Sequence, residues 1–415
     1  MKALAIFLFA SLASAQIAVG PHVQLGSTIL TPTAAGPIEP TPTMGWNPWQ
    51  IYGAAATETE IRNNCAAMAS NGMLAAGYNY CGFDDVWATS RTAGVLTATG
   101  SYPTISTLCS YIHGLGEKCM GYLAPGVTGC NGQVSSQGYE QQDVALMATW
   151  GVDYLKADTC TSGWTTASAV NEFQAFNAAI ISAGRPMRYF VSIPPNFCSP
   201  SSCDYSWNWF QFVGGNEEWS ENDIAVACGG TGTYGMTFTD LKTAVDSQIG
   251  LAGYGAINHY LFPGIYLGVG NGCLSDAEGR SDFSLMSILA APLIASIDLT
   301  ASPSSQTMTT LLNTDVIAVD QDSLGITGAR VSSVSCGSGL CEVYAKQLSG
   351  GAWAVLLWNR DSSSHSISAT WSMFGQTGPY TTTRDLWAHT SLGTLSAGYT
   401  TTVAAHDVVM IKVAP

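Results

Sequence analysis

Between residues 43 and 300 the chain alternates short apolar runs with stretches whose apolar residues have helical spacing. This alternation predicts parallel strands joined by helices, and eight such units are the number that closes a (β/α)8 barrel. The first helix is the clearest, because Thr57 and Glu60 form a capping-box sequence and Ile61, Cys65 and Met68 fall on one face. The eight predicted strand segments begin near residues 43, 78, 119, 154, 188, 215, 256 and 293.

After about residue 326 the pattern changes to short runs of alternating residues separated by Gly, Ser and Thr turns. CEVYAKQL, AWAVLLWN and VVMIKV are examples, and such runs are typical of an antiparallel β-sandwich. We therefore predict an α/β protein, a (β/α)8 TIM barrel over residues 16–325 followed by a C-terminal antiparallel β-sandwich over residues 326–415.

The N-terminus has the features of a secretory signal peptide over residues 1–15. Lys2 is followed by the apolar run LAIFLFASLA, and Ala13 and Ala15 form a small-residue cleavage site. The alternative is a buried N-terminal strand or helix. The apolar run is too short to span a bilayer, so a secreted, extracellular protein is expected.

The chain has twelve cysteines, which fits an oxidising compartment. Their spacing does not resemble a zinc site, and neither a metal nor an organic cofactor is expected. Close spacing predicts hairpin disulfides, and proximity to predicted strand ends suggests further pairs. The expected pairs are Cys336/Cys341, Cys198/Cys203, Cys130/Cys160, Cys65/Cys81, Cys109/Cys119 and Cys228/Cys273.

The chain carries 29 acidic and 14 basic residues, a net charge of −15. Such a surface repels nucleic acid and anionic membranes, so neither is an expected partner. Hydrophobic residues make up 47% of the chain, which excludes a disordered protein and fits an enzyme with a large core. The oligomeric state does not follow from the sequence.

The segment YLKADTC, residues 154–160, places Asp158 at the end of the fourth predicted strand. A (β/α)8 barrel carries its catalytic groups at this end of its strands. Asp223 follows about two β/α units later, and two carboxylates are the equipment for cleaving a glycosidic bond. Lys156 leaves the same face of the strand as Asp158, where a cation favours the ionised carboxylate. A purely structural role for Asp158 is the alternative.

Several motifs together resemble glycoside hydrolase family 27, which contains secreted α-galactosidases and α-N-acetylgalactosaminidases. They are MGWNPW, GYNYCGFDDVW, GYEQQDVALMATWGVDYLKADTC and, in the tail, VIAVDQDSLG, DLWAHTSLG and HDVVMIKVAP. The resemblance covers about residues 43–415. It implies hydrolysis of terminal α-D-galactosyl residues from oligo- or polysaccharides with retention of configuration.

The resemblance also implies roles for individual residues. Asp158 would be the nucleophile, and Asp223, in the segment WSENDI, the acid/base residue, with Glu218 and Glu221 as local competitors. Asp84 and Asp85 match adjacent aspartates that grip the sugar's 4- and 6-hydroxyls, although a helix N-cap pair is the alternative. The remaining expected substrate contacts are Trp46, Tyr122, Lys156 and Trp219. Trp46 and Trp87 would form apolar walls, or else fill the core.

The chain departs from the family pattern at several positions around the site. No carboxylate follows strand five in SIPPNFC, Ser220 stands where the family has Arg, and Phe262 and Gly264 replace two aspartates. Val86 replaces a cysteine. The retained aspartate pair favours galactose over L-arabinopyranose, but two alternatives stay open. One is altered donor choice, as in a β-L-arabinopyranosidase or an isomaltodextranase, and the other is a catalytically silent sugar-binding protein, against which the carboxylate pair argues.

An aromatic loop precedes the sixth predicted strand. Tyr205, Trp207 and Trp209 in this loop are expected either to form a platform for a longer glycan or to pack on the barrel rim.

Overall fold

The computed structural model describes residues 24–25, 28–29, 40–193, 206–220, 226–227, 234–264 and 266–415. The predicted signal peptide, residues 1–15, lies outside the described residues. So do the sequence-predicted site residue Asp223 and its competitor Glu221, and also Tyr205, Cys198, Cys203 and Cys228.

Eight parallel strands form one sheet in the order β7-β6-β5-β4-β3-β2-β1-β8. The segment after β7 closes the ring, because Leu267 N–H donates to Ile294 O at 2.9 Å beside β8. The prediction of a (β/α)8 barrel is therefore confirmed. The strands are β1 Met44–Trp46, β2 Tyr80–Gly82, β3 Lys118–Leu123, β4 Tyr154–Asp158, β5 Arg188–Ser192, β6 Glu217–Trp219, β7 Tyr260–Phe262 and β8 Leu293–Ala295.

Helices follow most of these strands, and sequence signals begin several of them. The expected capping box is present at Thr57 and Glu60, and Ile61, Cys65 and Met68 are buried on the face of α2 that packs on the barrel. The α-helices are α1 Trp49–Tyr52, α2 Glu58–Ser70, α3 Met73–Ala76, α4 Leu108–Gly114, α5 Glu140–Trp150, α6 Thr166–Ala183, α7 Phe238–Ser247, α8 Asp276–Leu289, α9 Ser305–Leu311 and α10 Thr314–Asp320.

Strand β7 is shorter than the sequence predicts, because Asn258 adopts a left-handed φ of 67° just before it. Between β5 and β6 the described residues form two 3₁₀ turns, Ser206–Asn208 and Phe210–Val213. Trp209 is fully buried here and packs on Phe173 of α6, so this part of the aromatic loop lies against the barrel.

The C-terminal region is a β-sandwich, as predicted. One sheet has the order β9-β10-β11-β16-β13-β14, and β12 pairs with β15 in a second. Its core includes Val355, Leu357, Ile367 and Trp371. The strands are β9 Ala329–Cys336, β10 Gly339–Gln347, β11 Trp353–Asn359, β12 His365–Thr370, β13 Thr382–Asp385, β14 Thr390–Ser391, β15 Gly398–Val403 and β16 Val408–Ala414.

Polar contacts, one of them buried, fix the sandwich to the barrel. Lys346 of β10 is 1% exposed and donates a 2.7 Å hydrogen bond to the carbonyl of Val319 in α10. Arg280 of α8 pairs with Asp407 at 2.5 Å. Both contacts join residues far apart in sequence, so the two layers have a defined orientation.

Four of the expected disulfides are present: Cys65–Cys81, Cys109–Cys119, Cys130–Cys160 and Cys336–Cys341. The other two expected pairs include cysteines outside the described ranges. No helix of the described chain combines the length and apolarity needed to cross a bilayer.

Candidate active site

Asp158 is the last residue of β4, and its carboxylate faces the barrel interior. Ser192, the last residue of the adjacent strand β5, donates a 2.7 Å hydrogen bond to Asp158 Oδ1. Tyr122 on β3 donates one of 3.3 Å to Asp158 Oδ2. Burial raises the pKa of Asp158, while the charge of Lys156 and the Ser192 hydrogen bond act in the opposite direction. The carboxylate is thus oriented from both neighbouring strands.

Lys156 connects Asp158 to the end of β2. Its ammonium Nζ lies 3.7 Å from Asp158 Oδ2 and 3.1 Å from each carboxylate oxygen of Asp84. Burial lowers the pKa of Lys156, but the interactions with Asp84, Tyr266 and Asp158 together outweigh it and leave the pKa well above its usual value. The lysine is therefore a fixed cation between two carboxylates.

Asp84 has further donors that the sequence did not indicate. Asn47, just after β1, donates a 2.6 Å hydrogen bond to Asp84 Oδ2, and the Tyr266 hydroxyl lies 3.3 Å from the same atom. Asn47 comes from the neighbouring strand β1, whereas Tyr266 follows β7 at the far edge of the strand order, so only barrel closure brings Tyr266 to Asp84. Asp84 is thereby locked among an amide, a phenol and an ammonium.

Asp85 is 3% exposed and has different partners. Its Oδ1 accepts the Val86 backbone N–H at 2.8 Å, and its Oδ2 accepts Asn131 Nδ2 at 2.8 Å. Val86 has a φ of 65°, which is a genuine outlier for a β-branched residue. Backbone strain of this kind concentrates at functional sites. The two aspartates are not a helix N-cap pair, because the next element is the antiparallel ribbon Ala88–Thr92 with Val95–Ala98.

The predicted aromatic contacts fall into two groups. Tyr122 and Trp219 lie inside the barrel, with ring centroids 5.4 Å and 5.8 Å from Lys156 Nζ. Trp46 is fully buried and donates to the Ile297 carbonyl at 2.8 Å. Trp87 is also fully buried, and its ring packs against Trp150 on α5, the position of a core filler.

One competitor for the acid/base role points away from the site. Successive residues of a strand face opposite sides. Glu217 faces the interior, where it pairs with Arg188 at 2.8 Å, and Trp219 also faces inward. Glu218 therefore faces the outer layer, where it accepts a hydrogen bond from Ser206. This leaves Glu221 and Asp223, both outside the described residues.

The departures from the family pattern have structural consequences in the barrel wall. Ser220 donates to the Phe262 carbonyl at 2.9 Å, so its hydroxyl is engaged in the wall. The Phe262 ring packs inside the barrel, 4.8 Å from the Trp219 ring. The indole N–H of Trp219 is buried and has no hydrogen-bond partner among the described residues. The barrel wall at β6 and β7 is therefore an aromatic surface with one available hydrogen-bond donor, the indole N–H of Trp219.

Two clusters in the described chain have the spacing of metal ligands, but each contains a bonded disulfide. They are Cys65, Cys81 and Glu117, and Cys336, Cys341 and His365. A disulfide sulfur is not a thiolate, so neither cluster offers the usual donor set of a metal site.

Two segments of the chain match known protein families. Residues 41–322 match the family described as alpha galactosidase A, and residues 338–413 match the alpha galactosidase C-terminal beta sandwich domain. A probable alpha-galactosidase from Dictyostelium discoideum is 33% identical over 388 residues, covering 90% of this chain and 93% of the relative. An alpha-galactosidase from Coffea arabica is 33% identical over 387 residues, covering 90% and 94%.

Solved structures show the same architecture. Alpha-galactosidase I from Mortierella vinacea has a TM-score of 0.77 at 29% identity, over 90% of this chain and 97% of that one. A β-L-arabinopyranosidase from Geobacillus stearothermophilus has a TM-score of 0.74 at 20% identity, covering 90% and 96%. At 20% identity, the similarity to the β-L-arabinopyranosidase concerns the fold alone.

Proposed function

The chain belongs to the alpha-galactosidase family, glycoside hydrolase family 27, and from this premise we propose that it hydrolyses terminal α-D-galactosyl residues with retention of configuration. It is a glycoside hydrolase acting on carbohydrate. The observation that carries the proposal is the arrangement of Asp158, Lys156 and Asp84 at the C-terminal ends of β4 and β2. This is a buried, oriented carboxylate beside a cation, with a second carboxylate across from it.

Asp158 is assigned as the nucleophile. In the first step its carboxylate attacks the anomeric carbon while the acid/base residue protonates the departing glycosidic oxygen. The glycosyl ester so formed is cleaved in the second step by water, which the same acid/base residue deprotonates. Lys156, Ser192 and Tyr122 support this role, because each stabilises the ionised form that must attack.

Asp223 is assigned as the acid/base residue. The family motif supports this assignment, as does the outward orientation of Glu218. A retaining enzyme needs its two carboxyl groups about 5–5.5 Å apart, which predicts that Asp223 approaches Asp158 to this distance.

The donor sugar is proposed to be galactose, gripped through its hydroxyls by Asp84, Asp85 and Lys156. Tyr122, Trp46 and Trp219 supply the surrounding wall, with the indole N–H of Trp219 able to donate to a hydroxyl. Phe262 and Ser220, which replace polar groups of the family, favour one further candidate, a relative with altered donor choice. A pocket that offers no polar partner beside Phe262 and Ser220 disfavours a sugar hydroxyl buried there.

Secretion is proposed from the signal-like residues 1–15 together with the four disulfides. The catalytic unit is proposed to span residues 16–325. The sandwich, residues 326–415, is then a structural domain fixed to it through Lys346 and Arg280.

A panel of aryl glycosides tests the proposal. We expect turnover of the α-D-galactoside, with NMR showing α-galactose as the first product. Asp158→Gly should lose this activity and recover it in azide, forming β-galactosyl azide, because azide replaces the missing carboxylate. Turnover of only a β-L-arabinopyranoside or dextran would move the assignment to the altered donor, and normal turnover by Asp158→Gly would refute the nucleophile.

A further inference from the structure

The neighbouring carboxyls of Asp84 and Asp85 are held in different ways. Asp84 pairs with the ammonium of Lys156. No salt bridge of the described residues reaches Asp85, although it is 3% exposed. Its Oδ1 is occupied by the neighbouring backbone N–H of Val86, so the orientation of Oδ2 depends on the side-chain amide of Asn131.

Asn131 is placed by two features of its own loop. It follows Cys130, whose disulfide to Cys160 ties the loop to the segment immediately after Asp158. Its backbone is left-handed, with φ 46° and ψ 23°, a conformation that asparagine tolerates better than most residues. The side chain is solvent-exposed, yet its amide reaches the buried Asp85 carboxyl at 2.8 Å.

This contact has an electrostatic effect as well as a geometric one. Burial raises the pKa of Asp85 to about 7, the Asn131 hydrogen bond lowers it, and the charge of Asp84 raises it. The other titratable groups facing Asp85 are Asp158, Tyr102 and Tyr122. Without the amide, the buried carboxyl would lose a donor that favours its ionised, hydrogen-bond-accepting form.

We propose that Asn131 is a positioning residue for substrate binding, which orients Asp85 toward a sugar hydroxyl and keeps it an acceptor. Through Cys130–Cys160 the position of this amide is coupled to the strand end that carries Asp158. The proposal rests on the proposed function, because Asp85 has this role only if a sugar occupies the site.

Asn131→Gly is the most direct test, since glycine adopts the same left-handed backbone and lacks the amide. We expect kcat/KM on the aryl α-galactoside to fall about tenfold, chiefly through KM. The acidic limb of its pH profile should move to higher pH, because the lost hydrogen bond lowered the pKa of Asp85. Asn131→Asp should lose more, since it replaces a donor by an acceptor. Gln137→Ala, an exposed change on the same loop, should match wild type.

A double-mutant cycle with Asp85→Asn separates positioning from general loop damage. In the Asp85→Asn background, Asn131→Gly should cause no further loss. A wild-type KM and pH profile in Asn131→Gly, or a further tenfold loss in the double variant, would overturn the inference. A wild-type enzyme that is inactive on α-galactosides would instead contradict the proposed function. The double-mutant cycle would then be measured with the glycoside that the enzyme does cleave.

Discussion

The ammonium of Lys156 lies 3.1 Å from both carboxylate oxygens of Asp84, although 72 positions separate the two residues. Both side chains are buried, so the Asp84 carboxylate depends on the charge of Lys156, which Asp158 shares at 3.7 Å. A buried ion pair of this kind contributes little net stability when it is intact. Removing one partner, however, leaves a buried charge without compensation and is strongly destabilising.

Lys156→Met should therefore lower the free energy of unfolding by about 3–5 kcal/mol, measured by urea denaturation. It should also abolish glycoside turnover. The double variant Lys156→Met/Asp84→Asn should regain part of the stability while staying inactive, since it removes the Asp84 charge and leaves only Asp158 without its cation. A single variant as stable as wild type would contradict the pairing.

Ser192→Ala removes the 2.7 Å hydrogen bond to Asp158. Burial already raises the pKa of this carboxyl and the serine lowers it, so the variant should have a still higher pKa. A nucleophile must be ionised, and the acidic limb of kcat/KM should consequently move to higher pH. At the plateau the rate should stay within about tenfold of wild type. Ser70→Ala, on an exposed helix face, is the control, and an unmoved acidic limb in Ser192→Ala would count against the role of Asp158.

Val86→Gly relieves the left-handed backbone at φ 65° beside Asp85. We expect a gain of about 1 kcal/mol in the free energy of unfolding, because the strain of a β-branched residue exceeds the entropic cost of glycine. KM should rise, since the N–H that orients Asp85 becomes less fixed. Ala93→Gly, at φ 51° in an exposed turn, should be stabilised without any change in KM. Equal KM changes in both variants would show that the KM effect does not come from the contact between Val86 and Asp85.

Glu117 is 3% exposed, and neither of its carboxylate oxygens has a hydrogen-bond partner among the described residues. Burial raises its pKa from 4.5 to about 8. Between pH 4.5 and about pH 8, the Glu117 carboxyl is ionised in the unfolded chain but protonated in the folded protein. Rising pH therefore favours unfolding over this range. This residue should contribute a fall of about 1.4 kcal/mol per pH unit in the free energy of unfolding, levelling off above about pH 8.

Glu117→Gln has no proton to lose and should flatten that fall, as followed by denaturant titrations across the pH range. Asp276→Asn, which changes an exposed carboxylate, should keep the wild-type slope. An identical slope in wild type and Glu117→Gln would show that Glu117 is ionised in the folded protein.

The local pattern of the chain determined the barrel, the sandwich and the position of Asp158. Strand β4 begins and ends at the predicted residues, and the capping box at Thr57 was evident from two side chains three residues apart. The four disulfides were also predicted, because most of those pairs lie close in sequence. These features depend on periodicity and short spacing, which a linear sequence contains directly.

The closed barrel decided which side chains meet around Asp158 and around Asp84 and Asp85. Tyr266 contacts Asp84 only through the barrel closure, Asn47 contacts it from the neighbouring strand β1, and Ser192 reaches Asp158 through the register of β4 and β5. Asn131 contacts Asp85 only because its loop folds back toward the end of β2. The sequence alone thus determined the chemistry available at one strand end. Strand register and barrel closure, which depend on long-range packing rather than local pattern, decided how that chemistry is oriented.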